Sequence, residues 1–268
     1  MTVLHSIFTS VELVYNVGFP ADVSVGQELV GGFVLQAQKV KSRAVASQGE
    51  RTPMEPRIVI EGGKSLQGTI PISGSKNAAL AVLAGTVLAS DGITVVRNLP
   101  RIHDIEVMAC ILRELGCTVT FEDDGKTARI DASQLDSWQV PDSLASKMRA
   151  SLHLLGPLVA RLGRAQIPQP GGCSIGARPI DLHLKGLTAM SADVDTSIFA
   201  EAPADGLRGA QIFLDKPSVG ATMNLMMAAA LAHGETVIEN AAQEPDIEDL
   251  ANLINAMGVI LKARVPVC

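Results

Sequence analysis

The sequence predicts an α/β domain of pseudo-threefold design, assembled from βα-rich units whose helices are buried. Two segments align without a gap, which is the first sign of it. Gly92, Thr94, Val95, Asn98, Asp104, Ile105, Glu106 and Gly116 return as Gly234, Thr236, Val237, Asn240, Asp246, Ile247, Glu248 and Gly258. Between them lies a looser third copy, with a helix over 143–162, a strand over 164–167 and a helix over 181–190. Repetition at such a spacing marks structural units that bury a shared core by packing against one another. Composition agrees: 47% of residues are hydrophobic but only 3% are aromatic, so the core must be aliphatic.

The 268 residues are enough for one large domain or two smaller ones. A net charge of −6, with no basic stripe, argues against general nucleic-acid binding but leaves room for anionic small molecules held by a few local cations. The four cysteines (Cys110, Cys117, Cys173, Cys268) form no CxxC pair and read as reduced thiols. The histidines (His5, His103, His153, His183, His233) are scattered without ligand spacing, so no metal and no cofactor is expected. No apolar run reaches the roughly eighteen residues that would span a bilayer. The start lacks the charged-then-apolar pattern of a secretory signal. Cytoplasmic residence is the expectation.

Taken in order, residues 1–54 read as an unmatched, poorly ordered extension. Residues 11–17 and 28–35 could each form a strand or a short helix, and 39–56 reads as linker. Recognisable sequence begins abruptly at Arg57, which suggests translation begun upstream of the true start. Strands are expected over 57–61 and 67–72 around the Gly62-Gly63 turn. Ser73-Gly74-Ser75-Lys76-Asn77 then opens an apolar helix over 78–89. No P-loop pattern can be drawn through it. Lys76 at a helix start opposes the helix dipole, a conflict that an anionic ligand would remove. Read alone, it is simply a solvated lysine.

In each close copy a strand (94–96; 236–239) leads to a helix begun at Asp104 or Asp246. These aspartates read as N-caps, a structural role, with Glu106 and Glu248 in the first turn. Asp181 reads as a cap in the same way. Cys110, among Val107, Ile111 and Leu115, reads as a buried small hydrophobe, as does Cys117 at the next strand. Asn224, one turn into a helix over 221–232, reads as core or helix surface.

The middle copy differs in one respect, since residues 168–181 replace a short strand-to-helix connection with a long loop. Function commonly sits on loops held by a rigid scaffold. Pro170 and Gly171-Gly172 break regular structure, and Arg178 could lower the pKa of Cys173. On these residues alone, a plain surface loop is favoured over a reactive cysteine.

The full string PGGCSIGARPIDLHLKGL closely resembles the catalytic loop of the UDP-N-acetylglucosamine enolpyruvyl transferases (UDP-N-acetylglucosamine 1-carboxyvinyltransferases), in the EPSP synthase-like family. The resemblance covers about residues 57–258, and the C-terminal half of the family chain is missing. It implies an inside-out arrangement, helices within and sheets outside, with one complete domain over 74–258. Residues 55–73 would be the opening strands of a second domain, and 259–268 a tail that does not match.

The resemblance also implies transfer of the enolpyruvyl group of phosphoenolpyruvate to the 3-hydroxyl of UDP-N-acetylglucosamine, releasing phosphate. That is the first committed step of peptidoglycan synthesis, serving cell-wall formation, cell shape and division. Lys76 and Asn77 match the family's pair at the phosphoenolpyruvate and sugar site, and Arg149 its substrate-contacting arginine. Cys173 matches the general acid, which is also the residue alkylated by fosfomycin. Arg178 would face phosphoenolpyruvate, and Arg178, Pro179, Ile180, Asp181 and Leu182 would cup the uridine. Lys216, Pro217, Ser218, Val219 and Gly220 match the diphosphate segment. The family draws its base and a further arginine from the second domain, so a complementing C-terminal fragment is the expected partner. The changed sequence from Lys262 to Cys268 suggests a truncated or frameshifted copy. The rivals are the related enzyme acting on shikimate 3-phosphate, a non-catalytic remnant that binds UDP-sugar, and an inert fragment.

Overall fold

A computed structural model describes residues 13–16, 68–69, 72–171 and 180–262. The chain divides into one unit of residues 1–19 and 73–268 and another of residues 20–72. In the second, only 68, 69 and 72 are described, none in regular structure. The expected strand over 57–61 and the segment 28–35 therefore lie outside the described residues, as do 67, 70 and 71 of the strand expected over 67–72.

The first unit runs β1 (Leu13–Asn16), α1 (Lys76–Gly85), β2 (Ile93–Arg97), α2 (His103–Glu114), β3 (Thr118–Glu122), β4 (Thr127–Asp131) and α3 (Asp142–Ala145). It continues with α4 (Leu155–Leu162), β5 (Arg164–Gln166), α5 (Asp181–Ala189), β6 (Asp193–Val194), β7 (Phe199–Glu201), β8 (Gln211–Phe213), α6 (Val219–Ala229), β9 (Val237–Glu239) and α7 (Pro245–Ala256). Among the described residues three small sheets result, in the orders β1-β2-β4-β3, β5-β7-β6 and β8-β9. Within 11–17 the strand alternative is the one adopted: β1 pairs parallel to β2, Leu13 beside Thr94.

The three copies are α1-β2-α2, α4-β5-α5 and α6-β9-α7. Their punctuation shows why the sequence repeats. Gly92, Gly163 and Gly234, each before the strand, have φ of 82°, 75° and 95°. Gly116, Ser191 and Gly258, each after the second helix, have φ of 103°, 70° and 94°. Asn98 and Asn240 follow their strands at φ 59° and 55°. Left-handed backbone is costly for most side chains and cheapest for glycine, then asparagine, so the repeated residues are those the repeated turns require.

The first helix of each copy is the buried one. Every residue from Ala78 to Gly85 is buried in α1, and every residue from Ala221 to Ala228 in α6. α1 is apolar all round over this length, as expected of an enclosed helix, and α6 departs from it only at the hydrogen-bonded Thr222 and Asn224. The second helices are amphipathic and lie outside them. In α2, Ile105, Met108, Ile111 and Leu112 face inward, whereas His103, Glu106, Cys110 and Arg113 form the exposed stripe. Cys110 is therefore exposed rather than buried, since the helical period sets it roughly opposite Ile105, Met108 and Leu112. Cys117 is buried, and burial pushes its thiol up to about 12.

Close helix contact depends on missing side chains. A Cβ on Gly156 of α4 would fall 2.1 Å from the Asn224 carbonyl oxygen in α6. The segment 143–162 is not one helix but three pieces: α3, a 3-10 helix over Arg149–Leu154, and α4. Met148 is extended at φ −151° and ψ 145°. Pro157 is tolerated because it falls in the first turn of α4, where its missing N–H would have had no helical partner.

Candidate functional site

The site is built where helix starts meet. Ser75 caps α1, its Oγ accepting the Ala78 N–H at 3.3 Å and donating to Asp246 Oδ1 at 2.9 Å. Lys76, the first residue of α1, places Nζ 3.3 Å from Asp104 Oδ2. Asp104 is the second residue of α2 and Asp246 the second of α7. The expectation that both are N-caps is thus corrected. The caps are Ile102 and Glu244, and neither makes a side-chain capping bond. The two carboxylates instead reach sideways to the start of α1. Asp181 likewise is the first residue of α5, after the cap Ile180, and its side chain is exposed.

On the other side, α6 begins after Ser218, whose Oγ accepts the Ala221 N–H at 3.4 Å. His183, in the first turn of α5, lies over this start, so that a Cβ on Gly220 would sit 3.2 Å from its ring. Asn224 is fully buried and ties the region together. Its Oδ1 accepts the Gly156 N–H at 2.7 Å, and its Nδ2 donates to the Leu152 carbonyl at 3.0 Å. Nδ2 also lies 3.1 Å from His183 Nδ1. Of the two expectations for Asn224, core is the one observed.

Arg149 opens the 3-10 helix, and its charge is felt by both His153 and His183. Burial pushes His153 down to about 4, with Asp246 pulling upward and Arg149 downward. Burial also pushes His183 down to about 4, reinforced by His153 and Arg149 and opposed by Asp181. His153 is partly exposed as a residue, yet its Nδ1 is buried with no hydrogen-bond partner among the described residues. Both imidazoles are neutral at physiological pH. The starts of α1, α2, α5, α6, α7 and the 3-10 helix are therefore neighbours, joining N–H ends and cations (Lys76, Arg149) with acids that partly balance them. Such an arrangement suits a ligand carrying phosphate or carboxylate.

The long loop enters this region under tight control. The Gly171 N–H donates to the Ala145 carbonyl at 3.0 Å, and a Cβ there would fall 1.5 Å from the Ser146 carbonyl oxygen. Only glycine allows that approach. Cys173, Arg178 and Pro179 lie outside the described residues. Of the other candidates, Asn77, Lys216 and Pro217 are exposed, while Ile180, Ser218, Val219 and Gly220 are partly buried. Leu182 is buried at 4% exposure, so its side chain belongs to the core. Lys76, Asp104, Asp246, Arg149, His153, His183 and Gly220 form one cluster. Sequence reasoning missed Asp104, Asp246, His153 and His183 as site residues. The signal for the aspartates was their shared repeat position. Among the described residues, no group of three His, Cys, Asp or Glu side chains gathers to hold a metal, and no helix is long and apolar enough to cross a membrane.

The model of the EPSP synthase (3-phosphoshikimate 1-carboxyvinyltransferase) family matches residues 60–265, most of the chain. The chain belongs to that family. Among solved structures it is similar to the enolpyruvyl transferase NikO from Streptomyces tendae, with a TM-score of 0.64 and 24% identity over 76% of this chain and 48% of that one. It is also similar to two structures of EPSP synthase from Acinetobacter baumannii. Both are 20% identical over 70% of this chain, with TM-scores of 0.54 and 0.55, and cover 43% and 44% of those chains. At such identities the likeness speaks for the fold, an EPSP synthase-type mixed α/β arrangement. This family member spans about half the length of the solved chains it matches.

Proposed function

We propose that this family member transfers the enolpyruvyl group of phosphoenolpyruvate to the 3-hydroxyl of UDP-N-acetylglucosamine, releasing phosphate, as a cytoplasmic step of peptidoglycan synthesis. The observation that carries the proposal is the meeting of helix starts around Lys76 and Arg149, beside the anchored entry to the Cys173 loop. Both substrates are anionic, and that is where the fold concentrates N–H groups and cations.

In this reading residues 74–258 form the transferase domain, with 55–73 the opening strands of another. Lys76, Arg149 and Arg178 neutralise the phosphate and carboxylate of phosphoenolpyruvate. Cys173 protonates its methylene carbon while the sugar oxygen bonds to the adjacent carbon; loss of that proton and of phosphate then restores the double bond. Asn77 orients the sugar, Arg178 to Leu182 hold the uridine, Leu182 through its backbone, and Lys216 to Gly220 hold the diphosphate. The base for the hydroxyl comes from a complementing partner. A cysteine at the loop favours the UDP-sugar over shikimate 3-phosphate as acceptor.

A second reading, UDP-sugar binding without turnover, is favoured by the match to only 48% and 43% of two solved chains. Phosphate release from phosphoenolpyruvate and UDP-N-acetylglucosamine, beside a Cys173→Ala control, decides between them. Release that needs both substrates and vanishes in the control supports the transferase. No release from folded protein, with calorimetric binding of the UDP-sugar, supports the second reading. Neither release nor binding sinks both.

A further inference from the structure

We propose that Asp104 is a placeholder anion, holding Lys76 in the ligand-free site and giving way when a phosphate group arrives, while its repeat counterpart Asp246 is a fixed strut. This rests on the reading that the start of α1 receives an anionic substrate, and it assigns positioning roles to two residues that touch no substrate.

Lys76 is placed in an electrostatic conflict. As the first residue of α1 it sits at the positive end of a helix dipole, where a cation is unfavourable and an anion welcome. Asp104 supplies that anion from the first turn of α2, with its carboxylate oxygen 3.3 Å from Nζ. The start of α2 is likewise the positive end of a helix dipole, so the acidic side chain suits its first turn. One carboxylate thus balances two helix ends and a lysine, a role that a phosphate group could fill as well.

Exposure decides that the contact is exchangeable. The side chains of Lys76 and Asp104 are 53% and 35% exposed, so water and salt weaken their pairing. Asp246 differs despite its equivalent position. It accepts a part-buried 2.9 Å hydrogen bond from Ser75, whose Oγ also accepts the Ala78 N–H. Ser75 is thereby committed on both sides, and neither bond needs a ligand. The repeat placed the same residue at the second position of two helices, and the neighbouring residues of α1 gave each copy a different task.

The test is calorimetric titration of the full chain with inorganic phosphate. Removing the competitor in Asp104→Asn should tighten phosphate binding by about fivefold, the scale of an exposed ion pair. Lys76→Ala should weaken it. In the Lys76→Ala background, Asp104→Asn should give less than half that gain, because the competition acts through the lysine. Asp104→Glu should stay near wild type. Asp246→Asn removes the same charge beside the same helix, but should lower the melting temperature without a comparable gain in phosphate affinity. Circular dichroism establishes folding, and Asp104→Ser substitutes for the asparagine variant if that one does not fold.

Unchanged or weaker binding in Asp104→Asn overturns the proposal. So does an equal gain in Asp246→Asn, which would mark a general field effect, or an equal gain without Lys76. If wild type shows no phosphate binding, its appearance in Asp104→Asn supports the proposal and its absence there overturns it. The outcome is separable from the transferase reading. Turnover without the Asp104 effect sinks the placeholder alone, and the effect without turnover sinks the transferase alone.

Discussion

Helices α1 and α6 hold corresponding places in the two close copies, and both are enclosed by the rest of the domain. Each is capped by a serine, Ser75 or Ser218, that accepts an N–H three residues on. Their differences lie at opposite ends of the design. In α1 the buried length is apolar from Ala78 to Gly85, and the chemistry is concentrated at the start, where Lys76 and Ser75 engage Asp104 and Asp246. In α6 the first turn carries no charge, and the polar groups are inside the helix. Asn224 binds α4, the 3-10 helix and His183, while Thr222 Oγ1 accepts the Ala242 N–H at 3.0 Å. One repeat position thus yields a helix start built of charged and polar side-chain contacts, and the other a start whose first turn carries no charge. The repeat conserves shape, and the few polar substitutions within it divide the labour.

The sharpest way to break this comparison is to exchange the interiors. Val82 stands as far before Gly92 as Asn224 stands before Gly234. Asn224→Leu should cost about 3 kcal/mol, because it leaves the Gly156 N–H and the Leu152 carbonyl buried without partners. Val82→Asn should cost a similar amount, roughly 2–4 kcal/mol, by burying an amide with no partner provided. Urea denaturation reads both. A loss well under about 1 kcal/mol for Asn224→Leu would show that the internal bonds do not hold α6.

Next in size is the response to acid on the α6 side. His153 and His183 titrate at about 4 when folded, against 6.5 ordinarily, so the unfolded chain binds more protons between those values. Stability from the neutral rings is then complete above about pH 6.5, declines as pH falls towards 4, and levels off below it. The combined loss should be of order a few kcal/mol. Melting temperatures from pH 7 to 4 test this, and His183→Asn should flatten the slope. An unchanged slope would mean that His183 is as accessible to protons folded as unfolded.

The smallest contrast concerns the caps. Ser75→Ala should cost about 1–2 kcal/mol and Ser218→Ala about 1 kcal/mol or less. The Ser75 change removes the cap and also the hydrogen bond to Asp246, whereas the Ser218 bond is long at 3.4 Å. Equal losses in thermal melts would dissolve the distinction between a clamped start and an open one.

Much of the fold was legible because its strictest demands are local. Left-handed turns select glycine and asparagine wherever they recur, so Gly92, Asn98 and Gly116 announced Gly234, Asn240 and Gly258. Enclosed helices need apolar residues on every face, which 78–85 display throughout and 221–228 display apart from Thr222 and Asn224. The break at Met148 was not legible, because 143–162 keeps a helical composition and the extended residue depends on packing around it. Cys110 was misread by sequence proximity to Val107 and Ile111, when angular position on α2 decided its exposure.

The site divides in the same way. A lysine at a helix start and a serine before it could be read in order along the chain, since a cap and a dipole act within one turn. The partners could not. Lys76 meets Asp104 across 28 residues, and Ser75 meets Asp246 across 171. By itself the sequence determined where the chain turns, which helices must be enclosed, and which family it joins. Only the tertiary structure decided which carboxylate faces which cation and which histidines lose their water. Electrostatic partnership and desolvation depend on distances of a few ångströms between groups remote in sequence, and those distances exist only once the helices have packed.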